Sequence, residues 1–305
     1  YLISMHIFLT GATGFLGTPL VRALADRGDH CTVVSRSGRD VWKHSAVRVL
    51  RADPTVPGSW QQEVSGCDAV INLAGERIIN LAFPWWTPAR KAALRLSRIA
   101  TTAQIVAAIR ATSTPPRLLV SGSAVGFYGP RGDEVLDETA PPGNDFLARL
   151  AAEWEATART VEDRATVAVL RTGLVLGRGG GALAPMLPAF RLGLGGPLGD
   201  GRQWWSWIHL ADAIDAILLV IDRRLAGPVN LTAPNPVTMN DFARALGEAL
   251  GRPAPLRVPA FALRLALGEA ADALLRLQRA TPKRLLTEEF AFRFPTIAEA
   301  LRDVV

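Results

Sequence analysis

Cysteine is nearly absent. Cys31 and Cys67 are the only two, each heading a strand-like run, so a disulfide framework is excluded and buried free thiols are expected. Histidine and cysteine nowhere cluster, which argues against a zinc site. Lysine occurs only at Lys43, Lys91 and Lys283, and the net charge of +6 comes from scattered arginines. Without a basic stripe there is no nucleic-acid footprint, only a positive potential suited to an anionic ligand. No apolar run approaches the roughly 18 residues that a membrane span requires. The first residues also lack a basic region followed by an apolar core and cleavage site. The expectation is therefore a cytoplasmic protein with no membrane partner. At 49% hydrophobic and 20% charged content, 305 residues suffice for one large core or two modest ones.

What is abundant is glycine at the right places. His6 to Gly17 reads HIFLTGATGFLG, a strand-like run entering a helix through three glycines spaced three apart. Gly11 allows a tight reversal and Gly14 lets backbone N–H groups approach a pyrophosphate. Gly17 lets the helix pack closely on the strand. Thr13, Phe15 and Leu16 complete a turn whose helix N-terminus faces the anion. Leu16, Leu20, Val21 and Leu24 give that helix its apolar face.

Strand-like and helical runs alternate through the first half, the pattern of an α/β fold: a Rossmann-type, doubly wound parallel sheet. Strands are expected near Ile7 to Thr10, Cys31 to Ser35, Val47 to Arg51, Ala69 to Leu73, Arg117 to Ser121 and Thr166 to Arg171. Long helices are expected over Pro88 to Arg110 and Asp145 to Asp163. After Gly177 the chain becomes dense in glycine and proline, as in an excursion over a ligand site. A helix from Ala211 to Arg224 and a strand from Val229 to Thr232 then return to the sheet. Thr238 with Asp241, and Thr296 with Glu299, mark capped helix starts, and Gly251 stops the first of those helices. Pro253 to Gln278 reads as mostly helical. Residues 1–177, with 205–235 returning, form the nucleotide domain, and 178–204 with 236–305 form a smaller C-terminal substrate lobe.

Where NAD-binding folds carry an acidic residue after the second strand, this chain reads VVSRSGRD. Arg36 occupies that place with Arg39 nearby, so a 2′-phosphate and hence NADP(H) is expected; a shifted register would instead bring in Asp40. Asp53, ending the third strand, is set to touch the adenine edge. Leu73, Ala74 and Gly75 leave the fourth strand as small residues against which a cofactor can lie. Ser121 joins these cofactor-lining positions, as do Arg171 and Gly173 at the end of the sixth strand.

These segments resemble the extended short-chain dehydrogenase/reductase superfamily, which includes nucleotide-sugar epimerases. The residues that carry the resemblance are TGATGFLG, NLAG, SGSAVGFYG, LRTGLVLG and WIHLADA. More narrowly, the chain is similar to the atypical branch labelled epimerase family protein. The shared features there are NLAGE, Trp86 to Lys91 followed by Ser97 and Arg98, Trp154 with Glu155, the loop from Gly195 to Gln203, and SWIHLAD. Typical members place a tyrosine and a lysine four residues apart on the helix after the fifth strand. Here that pair reads Phe146 with Leu150, or Asp145 with Arg149; neither is tyrosine and lysine, and phenylalanine can neither protonate nor stabilise an alkoxide.

The resemblance assigns Ser123 as the active-site serine. Tyr128 is the candidate replacement proton donor, provided its pKa falls from about 10 towards the working pH. Glu76 and Glu138 are further candidate acids, and His209 either titrates or fixes the next helix. Trp85, Trp86, Trp204, Trp205 and Trp207 either wall a pocket or pin the lobes together. Arg131, Arg171 and Arg202 either hold an anionic group or lie at the surface. Two functions stay open: an oxidoreductase or epimerase on a small carbonyl or sugar-derived compound, and a non-catalytic NADP(H)-binding sensor or scaffold. A homodimer through the two long helices is the expected assembly.

Overall fold

The computed structural model of the protein describes residues 4–80 and 84–305. Seven strands make the central sheet: β1 (His6–Thr10), β2 (His30–Ser35), β3 (Val47–Arg51), β4 (Ala69–Asn72), β5 (Leu118–Ala124), β6 (Thr166–Thr172) and β7 (Gly227–Leu231). They run parallel in the order β7-β6-β5-β4-β1-β2-β3. The order reverses beside β1, the topological switch point where doubly wound sheets open a crevice for ligands.

Strand alternation sends side chains to two cores. Ile7, Leu9, Val33, Ile71 and Val120 pack under α1 (Gly17–Asp26) and, further along the chain, α4 (Leu210–Arg223). Phe8, Val70, Leu119 and Val167 pack on the other face under α2 (Pro88–Ala111) and α3 (Phe146–Arg159). Thr87 caps α2 and Asp145 caps α3 by accepting a backbone N–H. Asp145 is thus the cap of α3, and the helix ends at Arg159 rather than reaching Asp163. Among the described residues no helix is long and apolar enough to cross a membrane.

The rest of the chain builds a third core above the carboxyl edge. Helices α5 (Met239–Leu250), α6 (Ala260–Leu267) and α7 (Ile297–Val304) follow in sequence. Thr238 caps α5, Gly251 ends it at φ 62°, and Thr296 with Glu299 forms a capping box for α7. Helix begins only at Ala260, because residues 253–258 run as an irregular segment in which Leu256 N–H bonds Gly195 O and Val258 N–H bonds Pro197 O. Trp205 and Trp207 are buried with Phe242, Met239 and Leu301, and the Trp205 and Phe242 rings lie 4.5 Å apart. Phe242→Ala removes a fully buried ring from this core, and urea unfolding followed by tryptophan fluorescence should give a loss of about 3–5 kcal/mol.

Candidate functional site

The turn after β1 is built by close approach of backbones. Gly11 adopts φ 71°, and a Cβ there would overlap the Leu73 carbonyl. A Cβ at Gly17 would lie 2.6 Å from Ala12 Cα. Gly14 N–H closes the turn on Gly11 O at 3.1 Å. No side chain caps α1 and its first turn carries no acid, so its positive end is left facing the crevice. Phe15 is wedged under the glycine-dense excursion: Cβ atoms at Gly177 and Gly181 would come within 2.9 Å and 2.7 Å of its ring. Those glycines, with no role in the sequence reading beyond loop texture, are what let the excursion lie on the phosphate turn.

Across the crevice, buried Asn72 positions the exit from β4. Its side chain accepts from Thr10 Oγ1 at 2.8 Å and Ala74 N–H at 3.1 Å, and donates to Thr102 Oγ1 at 2.8 Å. Trp154 Nε1 also donates to Thr102. Arg98 donates to the Leu94 and Glu76 carbonyls, and burial pulls its pKa down to about 10. Gly75 lies against that guanidinium, 3.1 Å from its Cζ to a Cβ.

At the end of β2, Arg36 and Arg39 are exposed. The alternative acid, Asp40, accepts the Trp42 and Lys43 backbone N–H groups at 3.0 and 2.9 Å. Asp53 accepts the Thr55 N–H and hydroxyl, which hold its carboxyl below the usual range with help from the charge of Arg36. Both carboxylates therefore stabilise their own turns.

The residues sequence reasoning assigned to chemistry meet in one buried network. Arg171 on β6 grips Glu155 on α3 through Nε at 2.8 Å and Nη2 at 2.9 Å. Ser123, paired with Arg171 across β5 and β6, donates its hydroxyl to the same carboxylate at 2.7 Å. Arg171 Nη1 donates to the Tyr128 hydroxyl at 3.1 Å and to Glu138 O at 3.2 Å, and the Tyr128 hydroxyl donates to Asn230 Oδ1 at 2.7 Å. The Phe127 ring lies 3.6 Å from the guanidinium carbon.

Two expectations change here. Arg171 is not open to an outside anion, because the residue is only 3% exposed and its guanidinium is spent on Glu155. Burial works against its charge, but Glu155 and Tyr128 outweigh it and raise its pKa. Tyr128 is fully buried, and burial pushes its phenol up to about 12, the direction opposite to that of an acid poised near neutral pH. Its arginine neighbour offsets only part of that rise. Ser121 is buried on β5 and Gly173 packs against Ser206 O and Thr232. Glu155 is the member of this network that sequence reasoning misses, and its only signal is the Trp154–Glu155 pair inside an apolar helical face.

The remaining candidates have structural partners. Glu76 pairs with Arg90, while Glu138, raised by burial, accepts the Asn230 and Arg284 backbone N–H groups. Phe146 and Leu150 lie in an apolar cluster with Trp86, Leu94 and Leu267. Trp85 Nε1 donates to Ala266 O, and the five tryptophans act mainly as pins: Trp204 bonds Asp133, and Trp205 and Trp207 are core. Arg131 pairs with Glu134, and Arg202 is exposed. Cys31 and Cys67 are free and buried, which raises each thiol to about 12. His209 caps α4 by accepting the Ala211 N–H at Nδ1, with Nε2 against Asp303.

Removing Glu155 leaves Arg171 buried without a counter-charge. Glu155→Ala should cost about 3–5 kcal/mol in chemical denaturation, and Tyr128→Phe about 1–2 kcal/mol. Burial lowers the His209 pKa despite Asp303, so the folded state takes up its proton less readily than the unfolded chain. Its contribution is present above pH 6.5 and is lost as pH falls below that value. His209→Gln should flatten the slope of stability against pH between about 5 and 7, measured by urea unfolding beside the parent protein.

The NAD dependent epimerase/dehydratase family matches residues 7–232, and DUF1731, a domain of unknown function, matches residues 258–304. Epimerase family protein SDR39U1 of Mus musculus is 39% identical over 307 residues, covering 99% of this chain and 100% of its own length. A homolog from Arabidopsis thaliana, named chloroplastic, is 39% identical over 311 residues, covering 99% of this chain and 87% of its own. The crystal structure of human epimerase family protein SDR39U1 with NADPH superposes with a TM-score of 0.88 at 34% identity, covering 98% of this chain and 99% of that one. With a family match across the sheet and relatives aligned end to end, the chain belongs to the NAD dependent epimerase/dehydratase family, among its epimerase family proteins.

Proposed function

We propose that this protein binds NADP(H) in the crevice between the β1 turn and the exit of β4, and exchanges hydride with a small carbonyl or sugar-derived compound. The observation that carries the reading is the phosphate turn itself. Gly11 and Gly17 leave no room for side chains, and the first turn of α1 lacks both a cap and an acid. The backbone N–H groups of Thr13, Phe15 and Leu16 have no acceptor among the described residues and suit a pyrophosphate. Arg36 suits a 2′-phosphate, since Asp40 is spent on its own turn. The human relative solved with NADPH supports the same assignment. The bound nicotinamide would supply or accept the hydride.

The chain's own contribution at the reacting end centres on Ser123. Its proton is given to Glu155, so it meets a ligand as a hydrogen-bond acceptor, and a substrate hydroxyl is the group it suits. Tyr128 stays outside this chemistry, with its proton held on Asn230.

The second reading, a non-catalytic NADP(H) sensor, is favoured by one observation: neither candidate pair is free for acid–base work, since Phe146 and Leu150 bury in an apolar cluster, while Asp145 caps α3 and Arg149 donates to Asn144 O. Single-turnover absorbance of the nicotinamide, with pooled carbonyl compounds and nucleotide sugars, separates the two. An enzyme changes the redox state of bound cofactor, slows about 10-fold in Ser123→Ala through the lost hydrogen bond to substrate, and keeps its rate in Tyr128→Phe. Tight cofactor binding with no redox change across the pool makes the sensor reading correct.

A further inference from the structure

Three arginines converge on the turn that follows β2. Arg36 and Arg39 belong to the turn, and Arg51 ends β3; all three are exposed. Arg51 is the cross-strand partner of Ser35, and Ala52 N–H donates to Ser35 O at 3.2 Å, so the two strand ends are locked together. The stem of Arg51 then runs directly over Gly38. A Cβ at Gly38 would stand 2.8 Å from Arg51 Cβ, 3.2 Å from its Cγ and 3.3 Å from its Cδ. Gly38 also has φ 65°, so glycine serves the turn twice, once for the backbone and once for the arginine laid across it.

Among the described residues none of the three guanidinium groups is paired with a carboxylate. The two acids beside them are engaged elsewhere: Asp40 with the Trp42 and Lys43 N–H groups, Asp53 with Thr55. Like charges gathered on one turn, with no carboxylate in salt-bridge contact and only the more distant charge of Asp53 acting on Arg36, favour a multiply charged anion. A phosphate dianion is large enough to accept two guanidinium forks from different sides.

We propose that Arg51 is a second ligand of the NADP(H) 2′-phosphate, closing on it from β3 while Arg36 approaches from β2; the inference rests on the NADP(H) reading above. Cofactor choice is then shared by two adjacent strands, and the Ser35–Arg51 register sets the spacing of the clamp.

Calorimetric titration of the full chain with NADPH, NADH, adenosine 2′,5′-bisphosphate and AMP tests this, comparing the parent protein with Arg36→Ala, Arg51→Ala, Arg51→Lys and Gly38→Ala. Arg51→Ala should weaken NADPH and the bisphosphate about ten-fold and leave NADH and AMP unchanged. Arg51→Lys should fall between the two. Gly38→Ala, which pushes the stem off the turn, should reproduce the selective loss. Arg51 is exposed, so melting curves should match the parent, and any variant that fails to fold is identified there and replaced by the lysine variant. If Arg51→Ala and Arg51→Lys keep the parent NADPH-to-NADH ratio while Arg36→Ala collapses it, Arg51 has no part and the NADP(H) reading stands. A parent protein that binds neither dinucleotide, or binds both equally, overturns the reading and this inference with it.

Discussion

The carboxyl edge of the sheet depends on one buried ion pair, Arg171 with Glu155, each side chain only 4% exposed. Burying two charges carries a desolvation penalty of several kcal/mol per ion, recovered only when geometry and surrounding hydrogen bonds are near ideal. Here both conditions hold. The guanidinium grips the carboxylate through two nitrogens, and Ser123 adds a third hydrogen bond to it. Tyr128, the Glu138 carbonyl and the Phe127 ring complete the shell of the arginine. Through Asn230 the network also reaches β7 and the Thr281 carbonyl. Such a pair adds little net stability compared with packed apolar residues, and its effect is to define one arrangement of β5, α3, β6 and β7. That definition takes the Ser123 and Tyr128 protons out of circulation, which is why two residues that suggest acid and base chemistry in sequence do not offer it in the fold.

The cofactor side of the crevice follows a different principle, contact between backbones. Gly11 admits the Leu73 carbonyl, and Gly177 and Gly181 admit the Phe15 ring. Pressed between β4 and the excursion after β6, the phosphate turn is held by the absence of side chains. Asn72 adds a polar tie, joining Thr10 to Ala74 and, through Thr102, to Trp154. The turn's anion-seeking end is thereby shaped before any ligand arrives, which reduces the ordering cost of binding.

Much of this frame was legible from local pattern. Strand alternation located β1 to β4 within a residue or so, and Thr238, Gly251 and Thr296 announced helix ends, because these signals depend on neighbours in sequence. Gly122 shows where local reading fails. The strand expected to end at Ser121 continues through this residue to Ala124, and glycine is there because a Cβ would sit 2.7 Å from the Trp154 ring. The ion pair was illegible for a similar reason. Glu155 and Arg171 lie on different elements, and only the packing of α3 on β6 brings them together. An arginine near an expected anion reads as a ligand until its internal partner is seen, and the direction of the Tyr128 pKa depends on burial that no spacing rule supplies.

The apolar cluster at the head of α3 bears on the redesign of this protein. Phe146 meets Trp86 edge-on at 5.3 Å, the Lys91 ammonium lies 5.0 Å from its ring centre, and Leu150 is 5% exposed among Leu94, Leu267 and Ala270. Placing tyrosine and lysine at positions 146 and 150 would put an ammonium into that apolar packing, where desolvation favours its uncharged form. It would also lose the property that makes lysine useful beside a tyrosine, its positive charge. Installing that pair there therefore demands that α6 and the Trp86 loop move away as well. Two substitutions do not suffice, and an engineer who wants tyrosine–lysine chemistry at these positions must rebuild the lobe first.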